Sequence, residues 1–255
     1  IRAIVEPIIT TLGSKYEKFD TDNILGEFNK TMDILKQRLD GMVLLGVCPE
    51  LVMAFVESRG ESFSILIMSE LLKALGKKVR VIDPVQVLVT EGGIMESSVN
   101  IELSRARYAA LPDDKEAITL MSGFCGGNAQ GQLVLLGRNG SDYSAACLAA
   151  ISNAECCEIW TDVDGVYSCD PRVVEGAVLL KKMSYAEAME LSYFGAKVLH
   201  PRTIAPIAQF EIPCLIKNTK NPKGPGTLIS EETDLSVPIK GISDLKNVAL
   251  INISG

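Results

Sequence analysis

GRNGSDYSAA, residues 137–146, follows the apolar run QLVLL and leads into the helical text DYSAACLAAISN, so it marks a strand–turn–helix junction. Gly137 and Gly140 let backbone amides come close to a ligand, and a helix opening near Asp142 offers free N–H groups and the positive end of its dipole. The lysine of a G-x-x-x-x-G-K-S/T phosphate loop is absent, and Arg138 stands in the turn instead. A guanidinium matches a carboxylate with two parallel hydrogen bonds, which an ammonium cannot do. The stretch therefore reads as a carboxylate seat beside a phosphate-tolerant helix start, with Ser141 adding a hydroxyl. The plainer alternative is a surface turn in which Ser141 or Asp142 caps the helix.

Outward from this junction, strands alternate with helices. ILGEFNKTMDILKQRL places Ile24, Phe28, Met32, Leu35 and Leu39 at helical spacing, within a region 1–45 that reads mostly helical. Ser58 or Glu61 opens the amphipathic SFSILIMSELLKAL, which Gly76 closes. VRVID (79–83) is a strand ended by Pro84, NIELSRARYAAL is a helix, and AITLMSG (117–123) is a strand ending in a glycine turn. GGNAQGQLVLLG has the composition of a hairpin turning at Asn128 and Gly131. ECCEIWTD (155–162) and PCLIKNT (213–219) are strands, while SYAEAMELSYFG (184–195) and TIAPIAQF are helices. The alternation predicts an α/β fold with a largely parallel sheet.

Composition narrows the function. A 255-residue chain with 47% hydrophobic and 22% charged residues can bury a sizeable core. Its net charge of -7 disfavours a general grip on nucleic acid or an anionic membrane. Seven scattered cysteines without a CxxC pair read as free thiols in a reducing cytoplasm. In CCEIW, Cys156 and Cys157 should face opposite sides of a strand. One histidine, His200, argues against a histidine base or a His-rich metal site, and no metal ligands are assigned. No apolar run reaches the ~20 residues of a membrane span. The opening IRAIVEP, lacking Met, and the closing NVALINISG both read as cuts in a longer polypeptide, after the turn-rich linker SEETDLSVPIKG.

Three further clusters stand at strand–helix junctions, where ligands collect in open α/β sheets. In ESRGES (57–62), Glu61 suits an ammonium group, or simply a helix dipole. WTDVDGVYSCDPR (160–172) is an acidic loop with Tyr167 and Arg172 that suits a nucleotide with magnesium; the preceding strand sets aside an EF-hand calcium loop. In FGAKVLHP (194–201), Lys197 is either a phosphate ligand or a charge at a helix end.

Taken together, LGRNGSDYSAA, EIWTDVDGVYSCDPR, MSYAEAMELSYFGAKVLHPRT and IPCLIKNT…NPKGPGTLI resemble the aspartokinases of the amino acid kinase family, nearest to the bifunctional branch fused to homoserine dehydrogenase. The resemblance covers the chain from about residue 45 onward, and KGISDLKNVALINISG resembles the entry into the family's regulatory ACT domains. It implies a three-layer α/β/α sandwich, with a catalytic domain over residues 1–232 and a linker plus the start of an ACT domain over 233–255. The implied reaction is transfer of the γ-phosphoryl group of ATP, with Mg²⁺, to the side-chain carboxylate of L-aspartate. Arg138, with Asn139, Gly140 and Ser141, would hold the substrate's α-carboxylate, and Glu61 its amino group. Asp142 and Lys197 would be catalytic, Asp142 by organising lysines. Thr161, Asp162, Tyr167, Arg172, Lys197 and Val198 would hold ATP. A threonine effector, a homo-oligomer and a cytoplasmic location complete the implied picture, with no nucleic acid and no membrane partner.

Two departures qualify the resemblance. The family's opening strand and glycine-rich K-F-G-G-T-S turn have no counterpart in these residues, so the expected fold is N-terminally truncated and the chain as written is expected not to turn over. Asn139 stands where many monofunctional relatives carry glycine, which leans toward the bifunctional branch. The competing readings are a non-catalytic ligand-binding fragment and a sibling kinase acting on glutamate, a carbamate or a nucleotide.

Overall fold

The computed structural model describes residues 1–112, 114–193, 199–232 and 240–242. They form two compact units, Ile1–Ser144 and Ala145–Gly255.

The first unit opens with a helical hairpin, α1 (Arg2–Lys15) and α2 (Thr21–Leu45). Asp20 caps α2 by accepting a hydrogen bond from the Asn23 amide at 3.0 Å, and Gly46, in the left-handed region at φ 66°, ends it. Three of the residues placed at helical spacing, Ile24, Phe28 and Leu35, are buried, whereas Leu39 is exposed. A second helical pair follows, α3 (Glu50–Glu57) and α4 (Arg59–Ala74), hinged at the fully buried Ser58. Ile9, Phe19, Ile24, Phe28 and Phe63 make a common core for α1, α2 and α4. Its centre is the edge-on contact of Phe28 and Phe63, with ring centroids 4.9 Å apart. Fully burying a ring of this kind stabilises by roughly 1.5–3 kcal/mol.

After α4 come β1 (Val79–Ile82), the single turn α5 (Pro84–Val87), the hairpin β2 (Thr90–Gly92) and β3 (Ser97–Val99), and α6 (Ile101–Ala109). Asp83 caps α5 and Asn100 caps α6. β4 (Ile118–Met121) pairs in parallel with β1. β5 (Cys125–Gly127) and β6 (Leu133–Leu135) form the expected hairpin, turning through Asn128 and Gly131, the latter at φ 71°. Helix α7 (Gly140–Ser152) then begins.

The second unit holds a four-stranded mixed sheet in the order β7 (Cys157–Thr161), β9 (Cys214–Asn218), β10 (Thr227–Ser230) and β8 (Lys182–Ser184). The β7–β9 and β8–β10 pairs are parallel, and β9–β10 is antiparallel. Cys157 is buried and Cys156 exposed, as the alternation of a strand requires. Helices α8 (Tyr185–Tyr193) and α9 (Pro201–Gln209) connect β8 to β9. Ser184 and Glu187 form a reciprocal capping box at the start of α8. Glu187 also pairs with Lys240 at 2.8 Å.

The α/β class follows the expectation, and parallel pairing is joined, among the described residues, by three antiparallel pairs, β2–β3, β5–β6 and β9–β10. The strands β2, β3, β8 and β10, and the helices α3 and α5, are additions to the sequence reading. The expected domain boundary at 232/233 borders residues 233–239, which lie outside the described set, as do residues 243–255.

Candidate active site

The first unit contains an open cleft of about 530 Å³. One wall is the α3–α4 junction, with Glu57, Gly60, Glu61 and Ser64 at helical spacing. The other wall is the turn entering α7, with Asn139, Gly140, Ser141 and Asp142, and Phe124 stands between β4 and β5. The walls are joined directly, because Ser141 Oγ donates to Glu61 Oε1 at 2.8 Å.

Local backbone geometry builds the turn. Gly137 and Asn139 both take positive φ, 75° and 55°, separated by Arg138. The Tyr143 amide donates to the Asn139 carbonyl at 3.0 Å, so helical bonding starts at Asn139, earlier than the expected Asp142. Ser141 and Asp142 therefore lie inside the first turn and do not cap it. Asparagine tolerates the left-handed region better than most residues. Burial pushes the Asp142 carboxyl above the usual carboxylate range, and the polar side chain of the nearby Asn139 partly opposes this.

The two glycines serve packing as well as approach. A Cβ on Gly140 would sit 2.7 Å from Phe124 Cδ2, and one on Gly137 would sit 2.9 Å from Glu96 Cγ. Both missing side chains thus make room for neighbouring protein groups, where the sequence suggested room for a ligand. Arg138 is exposed and lies next to the cleft-lining residues without being one of them. Its guanidinium makes no hydrogen bond or ion pair among the described residues.

The second unit brings most of the predicted nucleotide residues to one loop. Thr161 ends β7, and its carbonyl accepts from both the amide (2.9 Å) and the hydroxyl (3.1 Å) of Thr219 just beyond β9. Asp162 is exposed beside it. Tyr167 directs its hydroxyl at Asp164 Oδ2, 3.5 Å away, and burial raises its phenol above the ordinary value. Arg172 is exposed and folded onto Asp170 in a two-point contact, 3.0 and 2.7 Å. Lys197 and Val198 lie outside the described residues.

Sequence reasoning missed Phe124, Glu57 and Ser64 in the cleft, and Asp164 with Asn218 in the loop. Asp164 Oδ1 accepts from Asn218 Nδ2 at 2.9 Å and Asn221 Nδ2 at 3.2 Å, tying the acidic loop to the end of β9. The signal for Glu57 and Ser64 was present: with Glu61 they step by four and three residues, one helical face. Among the described residues, no group of three or more His, Cys, Asp or Glu is placed to hold a metal ion, and no helix is long and apolar enough to cross a membrane.

The profile of the amino acid kinase family matches residues 7–218. The chain belongs to that family. The α/β architecture agrees: E. coli aspartokinase III, in a crystal structure with aspartate and ADP, superposes with a TM-score of 0.80 at 29% identity, over 91% of this chain and 57% of the other. Among amino acid kinases, the chain is 49% identical over 249 residues to the bifunctional aspartokinase/homoserine dehydrogenase of Haemophilus influenzae. It is 52% identical over 231 residues to that of Buchnera aphidicola. These alignments take in 97% and 90% of this chain but only 31% and 28% of the two relatives, so it spans about a third of their length. The expected likeness to aspartokinases, and to the kinase portion of the bifunctional branch, is borne out.

Proposed function

We propose that this chain is the aspartate kinase part of its protein, transferring the γ-phosphoryl group of MgATP to the side-chain carboxylate of L-aspartate to give 4-phospho-L-aspartate. The Ser141–Glu61 contact carries the reading. It sets a carboxylate, which attracts an ammonium group, beside the hydroxyl and helix-start amides that suit an α-carboxylate. An α-amino acid presents both groups on one carbon. In this reading Glu61 meets the amino group, while Arg138 swings over the α-carboxylate with Asn139, Gly140 and Ser141. Thr161, Asp162, Tyr167, Arg172, Lys197 and Val198 hold the nucleotide, and magnesium enters as part of MgATP. The described residues offer no acidic cluster that would hold the metal by itself.

The chemistry needs no general base. A carboxylate with a pKa near ~4 is ionised at neutral pH. An oxygen of the substrate's side chain forms a bond to the γ-phosphorus, the bond from that phosphorus to the β–γ bridging oxygen breaks, and ADP leaves with the electron pair. The protein's task is alignment of two anions and neutralisation of their repulsion by Arg138 and Lys197. Asp142 organises the cationic groups at the transferring phosphoryl.

The catalytic portion extends to residue 232, and 233–255 are a linker and the start of a regulatory domain. Threonine as effector, a homo-oligomeric assembly and a cytoplasmic setting belong to the same proposal. A coupled ADP-release assay with MgATP on the intact enzyme tests it. The expected result is release that depends on L-aspartate and is far weaker with L-glutamate. Equal rates with the two amino acids would point to a sibling kinase, and binding of aspartate without ADP release to a ligand-binding role.

A further inference from the structure

We propose that Phe124 gauges the length of the acceptor amino acid, admitting a side chain with one methylene and rejecting one with two. This rests on the reading of the cleft as the acceptor site. Among the described residues lining that cleft, Phe124 alone carries a large apolar side chain; its neighbours there include Glu61, Asn139, Ser141 and Asp142. An amino acid whose charged groups are held by Glu61 and the α7 turn has only its methylene segment left to place against an apolar wall.

The wall is rigid for reasons that are all local. Phe124 holds φ at 71°, in the left-handed region that a bulky side chain rarely adopts. Such strain persists only where the surroundings over-determine it. Here the Phe124 amide donates to Ser144 Oγ at 3.3 Å, and its carbonyl accepts from the Leu136 amide at 2.9 Å. One part of the ring packs against the buried cluster of Ala54, Cys125 and Leu135. Another part occupies the space that a side chain at residue 140 would fill, since even a Cβ there would come within 2.7 Å of Phe124 Cδ2. A turn that required nothing beyond the left-handed conformation is made at lower strain by glycine or asparagine. The ring is thus clamped at a fixed depth, and a wall that cannot retreat discriminates by length.

An apolar pocket separates substrates differing by one methylene about 10- to 200-fold. The test measures kcat/KM for L-aspartate and L-glutamate in the intact enzyme, with calorimetric binding of both amino acids as a readout free of chemistry. Phe124→Leu, which retracts the wall, should lower the aspartate-to-glutamate ratio at least about tenfold, through a lower KM and tighter binding for glutamate. Gly140→Ala, which leaves Phe124 in place but displaces its ring, should also change the ratio and guards against a Phe124→Leu protein that fails to fold. If both variants lower the two substrates' kcat/KM by a common factor, with the ratio unmoved, Phe124 is structural and the gauge is overturned. If the unaltered enzyme releases no ADP in response to aspartate, the reading of the cleft itself falls, a separate result.

Discussion

Ser141 and Glu61, eighty positions apart in sequence, are joined by a 2.8 Å hydrogen bond in which the serine hydroxyl donates to the carboxylate. The contact fastens the start of α7 to the start of α4 and holds a negative charge at the lip of the cleft. Glu61→Gln keeps an oxygen to accept from Ser141 but removes the charge. We expect little change in stability and a loss of aspartate affinity of at least tenfold, since hydrogen bonds to charged groups contribute about 1.5–3 kcal/mol. Ser141→Ala removes the fastening and should cost about 0.5–1.5 kcal/mol of stability, below the range for a buried bond to a charge because Ser141 is exposed to water. Denaturant titration and aspartate calorimetry on both variants separate these effects; a Glu61→Gln protein with unchanged affinity would remove Glu61 from the binding role.

Asp142 makes a prediction with a defined pH dependence. Its folded-state pKa is raised by burial, so the folded protein holds the proton more tightly than the unfolded chain does. Stability therefore falls as pH rises from the ordinary carboxylate value through the raised one, and the penalty stays constant above it. Asp142→Asn removes the penalty while losing catalytic competence. Thermal melts should show the variant more stable than the parent at neutral pH, with the gap closing as pH falls through the raised value and gone by about 4. A variant less stable at neutral pH would mean that favourable interactions of the carboxylate, such as that with Asn139, outweigh desolvation.

Gly165 sets the acidic loop in the second unit. It lies at φ 145°, and a Cβ there would approach Thr227 Oγ1 to 2.4 Å. That hydroxyl is occupied, accepting from the Val166 amide at 2.9 Å and donating to the Leu180 carbonyl at 2.6 Å. Gly165→Ala combines backbone strain with overpacking and should destabilise on the order of 2–3 kcal/mol or more. A midpoint shift in urea unfolding at unchanged slope is the expected record; an unchanged midpoint would show that the loop re-forms easily.

Arg172 separates nucleotide binding from loop bracing. Its two-point contact with Asp170 is exposed and within one loop, so it adds little to stability. Arg172→Ala should leave the melting temperature nearly unchanged, raise KM for ATP and leave KM for aspartate alone. Equal, unaltered KM values would leave Arg172 as a brace only.

How much of this was legible depended on segment length and on the character of the neighbours. Helix α2 announced itself through Ile24, Phe28 and Leu35, whose spacing survives in the buried core. Helix α3 did not, because Leu51, Val52, Met53, Ala54, Phe55 and Val56 form an unbroken apolar run with no polar face to set a period. Strands β8 and β10 have three and four residues, too short for alternation to register; they gain identity only through pairing, β8 with β10 and β10 also with β9. Glu61 and Ser141 were found separately from glycine-rich turns, but their hydrogen bond is tertiary and no local pattern encodes it. Phe124 was hidden among the glycines and serine of SGFCGG, where the text reads as a flexible turn. Its strained backbone and the neighbouring Gly140 make that turn a fixed wall.

The central claim is that an amino acid's side-chain carboxylate, held in the Glu61–Ser141 cleft, accepts the phosphoryl group. Hydroxylamine trapping with the intact enzyme tests it most directly, because an acyl phosphate is converted to a hydroxamate that can be counted against the ADP formed. The account predicts aspartyl hydroxamate equal to ADP, with both lost together in Glu61→Gln. ADP formed in the presence of aspartate without hydroxamate, or hydroxamate formation indifferent to Glu61, would contradict it.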